Sequence, residues 1–255
     1  MVRDVKGAHA LVTGGGRGIG RAIALALTEA GARATVLGRE ESRLKAAVKA
    51  GDAAAYVVAD ITNEAEVARA CGQAMARFGP IDILVNNAGG ADTAAFGKTD
   101  IELVRRMLEL NLVSAFVFVR LLLPAMIERG FGRIINVAST AALKGYPYAS
   151  AYCAAKHGLV GMTRALAVEI AKTGVTANAV CPGYTDTDLV RTAVADIASR
   201  TGRPEAEVRA ELVAGNPQQR LVAPHEIAAA VVYLAGANAA AVNGATLSLS
   251  GGEVG

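Results

Sequence analysis

Short apolar segments alternate along the chain with longer segments in which apolar residues recur at helical spacing. The first half reads HALVTG, GIGRAIALALTEAG, RATVLG, EESRLKAAVKAG, AAYVVAD, NEAEVARACGQAMARFG and IDILVNNAG in succession. The short segments are apolar throughout and rich in β-branched residues, which is typical of strands buried on both faces. This alternation predicts βαβ units, and therefore a parallel sheet covered by helices on both sides.

The second half continues the pattern with GRIINVAS, a helix that begins near Ala149, VTANAVCPG, the helical segment PHEIAAAVVYLAG and finally ATLSLSGG. The sequence contains no linker-like tract, low-complexity stretch or repeat. We therefore expect residues 1–255 to form a single α/β domain, a Rossmann-like doubly wound parallel sheet of about seven strands with helices on both faces.

One long segment departs from this rhythm. Residues 187–219, TDLVRTAVADIASRTGRPEAEVRAELVAGNPQQ, form a helical insertion between two predicted strands. Long excursions at the carboxyl end of a strand usually cover a site, so this segment is predicted to be a substrate lid.

Composition and charge exclude several classes of partner. Hydrophobic residues make up 53% of the chain, but no uninterrupted apolar run approaches the ~20 residues that a membrane span requires. Residues 112–127 come nearest, and Arg120 and Pro124 break that run, which favours a buried helix and no membrane association. The net charge of +3 comes without a basic run, so nucleic acid is not an expected partner.

The cysteines and the first residues bear on location. Cys71, Cys153 and Cys181 are widely spaced, which indicates reduced thiols and argues against both a disulfide framework and a zinc cluster. The opening MVRDVKGAHALVTGG has no apolar stretch followed by a small-residue cleavage site. We therefore expect a cytoplasmic protein.

A glycine-rich turn follows the first predicted strand. Residues 13–20, TGGGRGIG, lead into a helix with the spacing G-x-x-x-G-x-G at Gly14, Gly18 and Gly20. Glycines in this context let the backbone approach a pyrophosphate, whose charge the helix N-terminus stabilises. Glycines also serve ordinary strand-to-helix turns, but the position at the first βα turn favours dinucleotide binding.

Six motifs in order resemble one family. TGGGRGIG, NNAG (residues 86–89), Asn111 in LELNLVSAF, Ser139 in NVAST, YCAAK (residues 152–156) and NAVCPG occur in the order of the classical short-chain dehydrogenase/reductase family. The likeness covers residues 6–252. Within the family, the sequence looks most like reductases of 3-oxoacyl thioesters, carried on acyl carrier protein (ACP) or CoA, and polyketide ketoreductases.

The spacing of Tyr152 and Lys156 suits carbonyl chemistry. Positions four apart share one face of a helix. Tyrosine can donate a proton to a carbonyl oxygen, and a nearby ammonium favours the phenolate and lowers the pKa of ~10. Such a pair is often only a surface pair, but Ser139 at the end of a strand thirteen residues earlier favours a catalytic site. There a hydroxyl could stabilise charge on the substrate oxygen.

Asn111 lies in an otherwise apolar helical run, where asparagine is a poor helix former. A capped kink would explain it. The resemblance implies instead a backbone-coupled water site in a proton relay to Lys156, which we favour.

The resemblance also implies the cofactor contacts. Nicotinamide cofactors would meet the glycine loop, the end of the third strand, the NNAG segment, the catalytic pair and the segment after NAVC. The positions are Gly14, Gly16, Arg17, Gly18, Ile19, Gly20, Arg39, Asp60, Ile61, Asn87, Ala88, Gly89, Tyr152, Lys156, Pro182, Gly183 and Thr185.

Cofactor choice depends on the residue after the second strand. NAD-preferring members carry an acid there for the ribose hydroxyl, whereas this chain has Gly38 followed by Arg39. Arg39 and Arg17 could clamp a 2′-phosphate. The sequence therefore predicts NADPH (NADP+), with NADH possible if Glu40 or Glu41 reaches the ribose.

The substrate is less constrained. Members that use ACP dock it with two arginines, where this chain has Gly130 and Thr173 with Arg129 and Lys172 one step away. This departure leaves CoA thioesters or a free cyclic or aromatic ketone as alternatives. Tyr146 and Tyr148 could line the pocket or simply pack the loop.

The expected activity is NADPH-dependent reduction of a 3-oxoacyl thioester to the 3-hydroxyacyl product. The alternatives are an NAD-dependent dehydrogenase of a secondary alcohol or 3-hydroxyacyl-CoA and, more remotely, a non-catalytic dinucleotide sensor. By resemblance only, we expect a homotetramer.

Overall fold

Seven parallel strands form the central sheet in the computed structural model, which describes residues 5–254 and, for Leu189, only the backbone. They are β1 (His9–Thr13), β2 (Arg33–Gly38), β3 (Ala55–Val58), β4 (Ile83–Asn86), β5 (Gly132–Val137), β6 (Val175–Pro182) and β7 (Thr246–Leu249). Their order in the sheet is β3-β2-β1-β4-β5-β6-β7, and every neighbouring pair is parallel. The predicted doubly wound fold is confirmed.

Helices connect the strands across both faces of the sheet. In the described part of the chain the α-helices are α1 (Gly18–Glu29), α2 (Glu41–Lys49), α3 (Glu64–Phe78), α4 (Ile101–Leu108), α5 (Ser114–Glu128), α6 (Ser150–Glu169), α7 (Asp188–Thr201), α8 (Glu205–Val213) and α9 (Pro224–Ala235). A π-helical turn, Glu109–Val113, joins α4 to α5, and short 3-10 turns occupy Phe96–Lys98, Thr140–Ala142 and Ala237–Ala239.

Two hydrophobic layers sandwich the sheet because successive strand residues point to opposite faces. On one side, β1 residue Val12 packs with Leu27 of α1 and Val231 of α9. On the other, its neighbour Leu11 packs with Val67 of α3 and Phe118 of α5. All five residues of β1 are buried, which is why the segment reads as continuously apolar.

The topology sets the place of the site. The chain moves outward from β1 through β2 to β3 and then returns to the other side of β1 to form β4. The connections after β1 and β4 therefore diverge, and they leave a crevice at the carboxyl edge of the sheet where ligands of such folds bind.

The apolar run predicted to be a buried helix lies within a longer helical stretch, Ile101–Glu128. This stretch is long and apolar enough to cross a membrane by length and composition alone. Core helices pass the same test, and here Phe118, Leu122 and Met126 are buried against the sheet. The π-helical turn also interrupts the stretch.

Helices α7 and α8 occupy the insertion predicted at residues 187–219. They lie between β6 and α9 and pack against each other. Thr187 caps α7 by accepting a hydrogen bond from the backbone N–H of Val190. The role of these helices as a lid stays a prediction.

His9 begins β1 at the amino end of the sheet and is fully buried. Its Nδ1 lies 2.9 Å from the carbonyl oxygen of Gly79, and its Nε2 lies 3.0 Å from Oγ1 of Thr35. Burial lowers the pKa of this imidazole from 6.5; Arg33 lowers it further, while the backbone bond to Gly79 and the Asp82 carboxylate oppose the shift. The folded protein therefore resists protonation of His9.

This pKa shift predicts a loss of stability in mild acid. Above pH 6.5 both folded and unfolded chains carry neutral His9, and the full stability is present. Below it the unfolded chain binds a proton that the folded chain does not, so the free energy of unfolding falls by up to ~1.4 kcal/mol per pH unit. Urea titrations between about pH 7.5 and pH 5.5 should show this slope.

A His9→Gln variant should have a flatter pH dependence, although it starts from lower stability. His157→Gln, which changes an exposed histidine, should keep the wild-type slope. Parallel curves for His9→Gln and the wild type would contradict the assignment.

Candidate active site

The glycine loop makes a turn that larger residues could not enter. Gly14 and Gly18 have φ angles of +67° and +51°, which favour glycine. A Cβ at Gly20 would lie 2.4 Å from the carbonyl oxygen of Gly14, and one at Gly15 would lie 2.4 Å from Val36. The loop therefore packs backbone against backbone as β1 passes into α1.

Helix α1 begins directly at this turn. Its N-cap residue Arg17 makes no side-chain capping bond, and its first turn, which the structure describes in full, holds no acidic residue. The backbone N–H groups and the positive end of the helix dipole remain available to an anion.

A cavity of about 460 Å³ opens beside this helix start. Its walls combine the glycine loop with three arginines and two residues of α7: Gly16, Arg17, Gly18, Arg21, Arg43, Ala46, Asp188 and Thr192. The glycine N–H groups and the guanidinium groups suit the cavity to an anion, and Asp188 adds one carboxylate to the same wall.

The arginines differ in how they are held. Arg21 bonds Asp52 at 2.5 Å, and Arg43 pairs with Glu40 at 2.6 Å while its Cβ packs over Gly16. Arg17 was predicted here, whereas Arg21 and Arg43 were not. Arg43 lies in the first turn of α2, four residues after Arg39, and this helical spacing would have been the signal to find it.

Arg39 lies outside the cavity. Its guanidinium is 3.9 Å from the carboxylate of Asp60, and three quarters of its side chain is exposed. The carboxylate also accepts hydrogen bonds from the N–H and hydroxyl of Thr62, and these bonds with Arg39 hold the pKa of Asp60 below its ordinary value. The predicted clamp of Arg17 with Arg39 is therefore not assembled, because Asp60 attracts Arg39 toward the end of β3. The predicted role of Arg39 in cofactor binding stays a prediction.

Thr13 ties the loops after β1 and β4 together. Its Oγ1 accepts hydrogen bonds from the backbone N–H groups of Asn87 and Ala88 at 3.0 and 2.9 Å. The side-chain amide of Asn87 donates back to the carbonyl oxygen of Thr13 at 2.9 Å. The predicted ribose-facing segment is thus fixed beside the glycine loop.

The two isoleucines of the predicted cofactor set are held by the core. Ile19 is partly buried against one hydrophobic layer, and Ile61 is buried in the other. The polar groups that Ile61 could present to a ligand are therefore those of its backbone.

Asn111 lies in the π-helical turn, not in a regular α-helix as the sequence suggested. The wider turn lets its Nδ2 donate to the carbonyl oxygens of Gly90 (2.9 Å) and Met107 (3.1 Å), while its Oδ1 accepts from the N–H of Gly90. A Cβ on Gly89 would lie 2.6 Å from Oδ1 of Asn111 and 3.5 Å from Nζ of Lys156. Glycine at this position lets the two side chains approach each other.

Ser139 follows β5 and caps the 3-10 turn Thr140–Ala142. Its Oγ accepts a hydrogen bond from the N–H of Ala141 at 3.1 Å. The Tyr152 ring packs against the same turn, near enough for the Ser139 hydroxyl to oppose the rise that burial causes in the pKa of its phenol. The predicted serine and tyrosine therefore meet at the carboxyl edge of the sheet.

Tyr152 and Lys156 lie one helical step apart on α6. The Lys156 ammonium is buried, donates to the carbonyl oxygen of Val137 at 3.0 Å and lies 5.7 Å from the centre of the Tyr152 ring. Of the residues between them, Cys153 and Ala155 are buried and Ala154 is exposed.

The pKa shifts of this pair differ from the sequence-based expectation. Burial raises the pKa of Tyr152, and the neighbouring Ser139 hydroxyl only partly opposes this shift. Burial also lowers the pKa of Lys156 to about 8. The ammonium was expected to lower the tyrosine pKa, but it is directed to Val137, and desolvation of the phenol dominates.

The segment at the end of β6, which was predicted to face the nicotinamide, is held by hydrogen bonds. Gly183 donates its N–H to the carbonyl oxygen of Leu249, and the Thr185 hydroxyl donates to the carbonyl oxygen of Gly183. Pro182 and Thr185 are buried. These predicted nicotinamide-facing residues therefore occupy a rigid segment.

Two tyrosines take different positions. Tyr146 packs against the same buried cluster as Tyr152 and makes an edge-to-face contact with Tyr184, with ring centres 6.4 Å apart. Tyr148 is 68% exposed and has a φ of +65°. Tyr184 was not predicted, although it directly follows Gly183 in the sequence.

Comparisons with known proteins agree with this geometry. A family model described as short chain dehydrogenase matches residues 8–198. D-beta-hydroxybutyrate dehydrogenase of Cupriavidus necator is 42% identical over 255 residues, which cover 98% of this chain and 99% of that protein. Acetoacetyl-CoA reductase of Rhizobium meliloti is 39% identical over 246 residues, covering 96% of this chain and 97% of that protein.

Solved structures of similar reductases share the fold of this chain. A variant of actinorhodin polyketide ketoreductase with NADPH superposes with a TM-score of 0.90 at 37% identity and covers 99% of both chains. Levodione reductase also has a TM-score of 0.90, at 30% identity, covering 97% of this chain and 98% of that one.

The expected resemblance is confirmed, and so is the broad class of activity. The protein is an oxidoreductase that acts on CH–OH groups and their carbonyl counterparts with NAD(P). The chain belongs to the short-chain dehydrogenase family.

Proposed function

We propose that this protein reduces the ketone of a 3-oxoacyl thioester to the 3-hydroxyacyl product with NADPH. The observation that carries the proposal is the meeting of Ser139, Tyr152 and Lys156 at the edge of the sheet that also carries an arginine-lined glycine cavity. A proton donor and an anion-binding loop are the two things that such a reduction requires from the protein.

The residues fit a dinucleotide. The start of α1 and the glycine N–H groups would hold the pyrophosphate, Asp60 the adenine end, and Lys156 the ribose next to the nicotinamide. Bound NADPH would supply a hydride to the carbonyl carbon. The glycine loop also packs closely on the segment after β4, since a Cβ on Gly14 would lie 3.0 Å from Cα of Ala88, and a larger residue would push the two segments apart.

Proton transfer falls to Tyr152. Because burial raises its pKa, the phenol stays protonated near neutral pH and can donate to the oxygen that develops negative charge. The Ser139 hydroxyl stabilises the same oxygen. Lys156 lies beside the Tyr152 ring. Asn111, whose bonds to Gly90 hold the segment in which Gly89 approaches Lys156, would hold the water that returns a proton.

Charge at the cavity supports NADPH over NADH. The end of β2 carries Gly38, where an acid would repel a 2′-phosphate, and Arg17 and Arg43 line the adjoining cavity. Arg43 would exchange its exposed partner Glu40 for the phosphate. The actinorhodin relative named with NADPH is consistent with this choice.

CoA fits the chain better than ACP. Arg129, one step from the family's docking position, donates to the carbonyl oxygen of Ile81 and lies 3.5 Å from Asp82. It is therefore committed to the protein's own sheet and less available to an acidic carrier. The acetoacetyl-CoA reductase relative supports the same substrate class.

A second candidate is the dehydrogenation of a 3-hydroxy acid or another secondary alcohol with NAD. The hydroxybutyrate dehydrogenase of Cupriavidus necator, at 42% identity, favours it. A non-catalytic sensor is a poorer candidate, because the four predicted catalytic side chains are all present and assembled.

Assembly and location are also proposals. The homotetramer is supported by apolar side chains exposed on α5 and α6, among them Phe116 (51%) and Val168 (80%). A cytoplasmic location is supported by the three free, buried cysteines of the described chain.

The first test is a substrate panel followed by NADPH absorbance. Acetoacetyl-CoA should be reduced with a higher kcat/KM than free cyclic ketones or acetoacetate. Tyr152→Phe should lower kcat by about 10²-fold or more, because it removes the proton donor without changing the ring. Ser139→Ala should cost about as much.

The panel also separates the candidate functions. Faster oxidation of 3-hydroxybutyrate with NAD+ than reduction of any thioester would replace the proposal with the second candidate. Undiminished turnover by Tyr152→Phe would defeat the catalytic assignment.

A second test concerns the phosphate. Arg43→Gln should weaken NADPH binding by about tenfold and leave NADH binding nearly unchanged, because the lost interaction involves only the 2′-phosphate. Arg17→Gln should act in the same direction. Arg39→Gln is the matched control variant, because Arg39 lies beside Asp60 and outside the cavity. Fluorescence titration with NADPH and with NADH measures the two dissociation constants. Tighter binding of NADH than of NADPH by the wild type would contradict the proposed contact of Arg17 and Arg43 with the 2′-phosphate.

A third test is the pH profile of reduction. Since the pKa of Lys156 is lowered to about 8, its ammonium loses its proton above that pH. The kcat/KM should therefore fall about tenfold per pH unit on the alkaline side. Lys156→Arg, which stays charged, should lack this limb at whatever activity it retains. The same limb in both proteins would assign it to another group.

A further inference from the structure

A buried carboxylate lies beside the predicted substrate pocket without a role in the mechanism. Only 5% of the Glu253 side chain is exposed, although the residue belongs to the segment after β7. Its Oε1 lies 2.8 Å from Nζ of Lys144 and accepts a hydrogen bond from the Tyr146 hydroxyl. Two other segments of the chain also approach it.

Glycines make that approach possible. A Cβ on Gly183 would lie 3.2 Å from Oε2 of Glu253, and one on Gly215 would lie 3.5 Å from Oε1. Gly183 follows β6 in the predicted nicotinamide-facing segment, and Gly215 follows α8. The carboxylate therefore contacts the active-site wall and the base of the predicted lid at once.

A short chain of hydrogen bonds leads from Glu253 to the Ser139 turn. The Tyr146 hydroxyl donates to Glu253 and lies 2.7 Å from the hydroxyl of Thr140. Thr140 is the first residue of the 3-10 turn that Ser139 caps. Two hydrogen bonds thus separate the carboxylate from the residue next to the predicted catalytic serine.

The segment that carries Glu253 is itself held in place. Gly251 has a φ of +64° and packs so closely on Asn216 that a Cβ would lie 2.1 Å from its Oδ1. The hydroxyls of Ser248 and Ser250 are 2.8 Å apart, and Ser248 donates to the carbonyl oxygen of Val254. These contacts fix the direction in which Glu253 points.

Stability alone is a poor reason for this arrangement. The Glu253 carboxylate loses most of its hydration, whereas the Lys144 side chain stays 36% exposed. Well-packed apolar residues in place of such a buried charge are often equally stable or more stable. Burial and the neighbouring carboxylate both raise the pKa of Tyr146, so that its hydroxyl remains a donor to Glu253. Glu253, Tyr146 and Thr140 are therefore joined by fixed hydrogen bonds, and such bonds can hold the adjacent Ser139 in position.

We propose that Glu253 is a positioning residue that acts through Tyr146 and Thr140 to hold the Ser139 turn against the end of β6. It thereby sets the place of the Ser139 hydroxyl and of the pocket wall formed by Tyr146 and Tyr184. This inference rests on the proposed function, because it gives Ser139 a catalytic task.

The test compares Glu253→Gln, Tyr146→Phe and the double variant in ketone reduction. Each single variant should lower kcat by about tenfold, since a small displacement of a reacting group is costly. If Glu253 acts through Tyr146, the double variant should lose no more than either single one. The cofactor dissociation constant should stay within about twofold of the wild type, which a general loss of structure would not allow.

Two further variants serve as controls. Lys144→Gln removes the ion pair but leaves the Tyr146 bond, so kcat should fall by less than about threefold. Glu64→Gln removes an exposed ion pair with Arg120 and should have no effect. Single variants with wild-type kcat, or losses that multiply to about a hundredfold in the double variant, would overturn the proposal.

Hydrogen exchange supplies a readout that does not need the substrate. Amides of residues 139–146 should exchange faster in Glu253→Gln than in the wild type, while those of β1 stay unchanged. Unaltered exchange at residues 139–146 would also overturn the positioning role. This readout is independent of turnover. A wild type that reduces no ketone would refute the proposed function, and the exchange result would still show whether Glu253 positions the Ser139 turn.

Discussion

The parallel pairing of β1 with β4 is the constraint on which the site depends. Thr13 closes this pairing at the carboxyl edge, where its hydroxyl accepts the N–H groups of Asn87 and Ala88. The two loops are joined at this point, but the chain leads from β1 toward β2 and from β4 toward β5 on opposite sides, so a groove opens at the carboxyl edge of the sheet. The glycine turn follows β1 and the Ser139 turn follows β5, so the two flank the end of β4 at this groove.

Buried polar groups continue beneath this groove. Asn86 at the end of β4 donates to Asn136 of β5, whose amide donates to Thr163 of α6. Lys156 on the same helix donates to Val137, the next residue of β5. Helix α6 is thus joined to the sheet by directional bonds as well as by apolar packing, and these bonds fix the rotation that presents Tyr152 to Ser139.

Electrostatics separates the two ends of the site. At the proposed phosphate end, Arg17 and Arg43 line a cavity together with Asp188, and the exposed ion pair of Arg43 with Glu40 can be exchanged for a ligand. At the reacting end, burial keeps Tyr152 neutral and weakens the basicity of Lys156. One end therefore binds through charge, while the other sets proton affinity through desolvation.

The sequence by itself determined the parallel sheet, the glycine turn and the choice of candidate reacting side chains, because periodicity and short-range spacing encode them directly. Tyr152 and Lys156 share a face simply because they are four residues apart on a helix. Tertiary structure alone decided where the long side chains point. Arg39 is drawn to Asp60, Arg43 enters the cavity, Asn111 lies in a π-helical turn, and Glu253 returns to the Ser139 turn. These outcomes depend on contacts between residues far apart in the chain and on the desolvation they impose, neither of which local patterns contain.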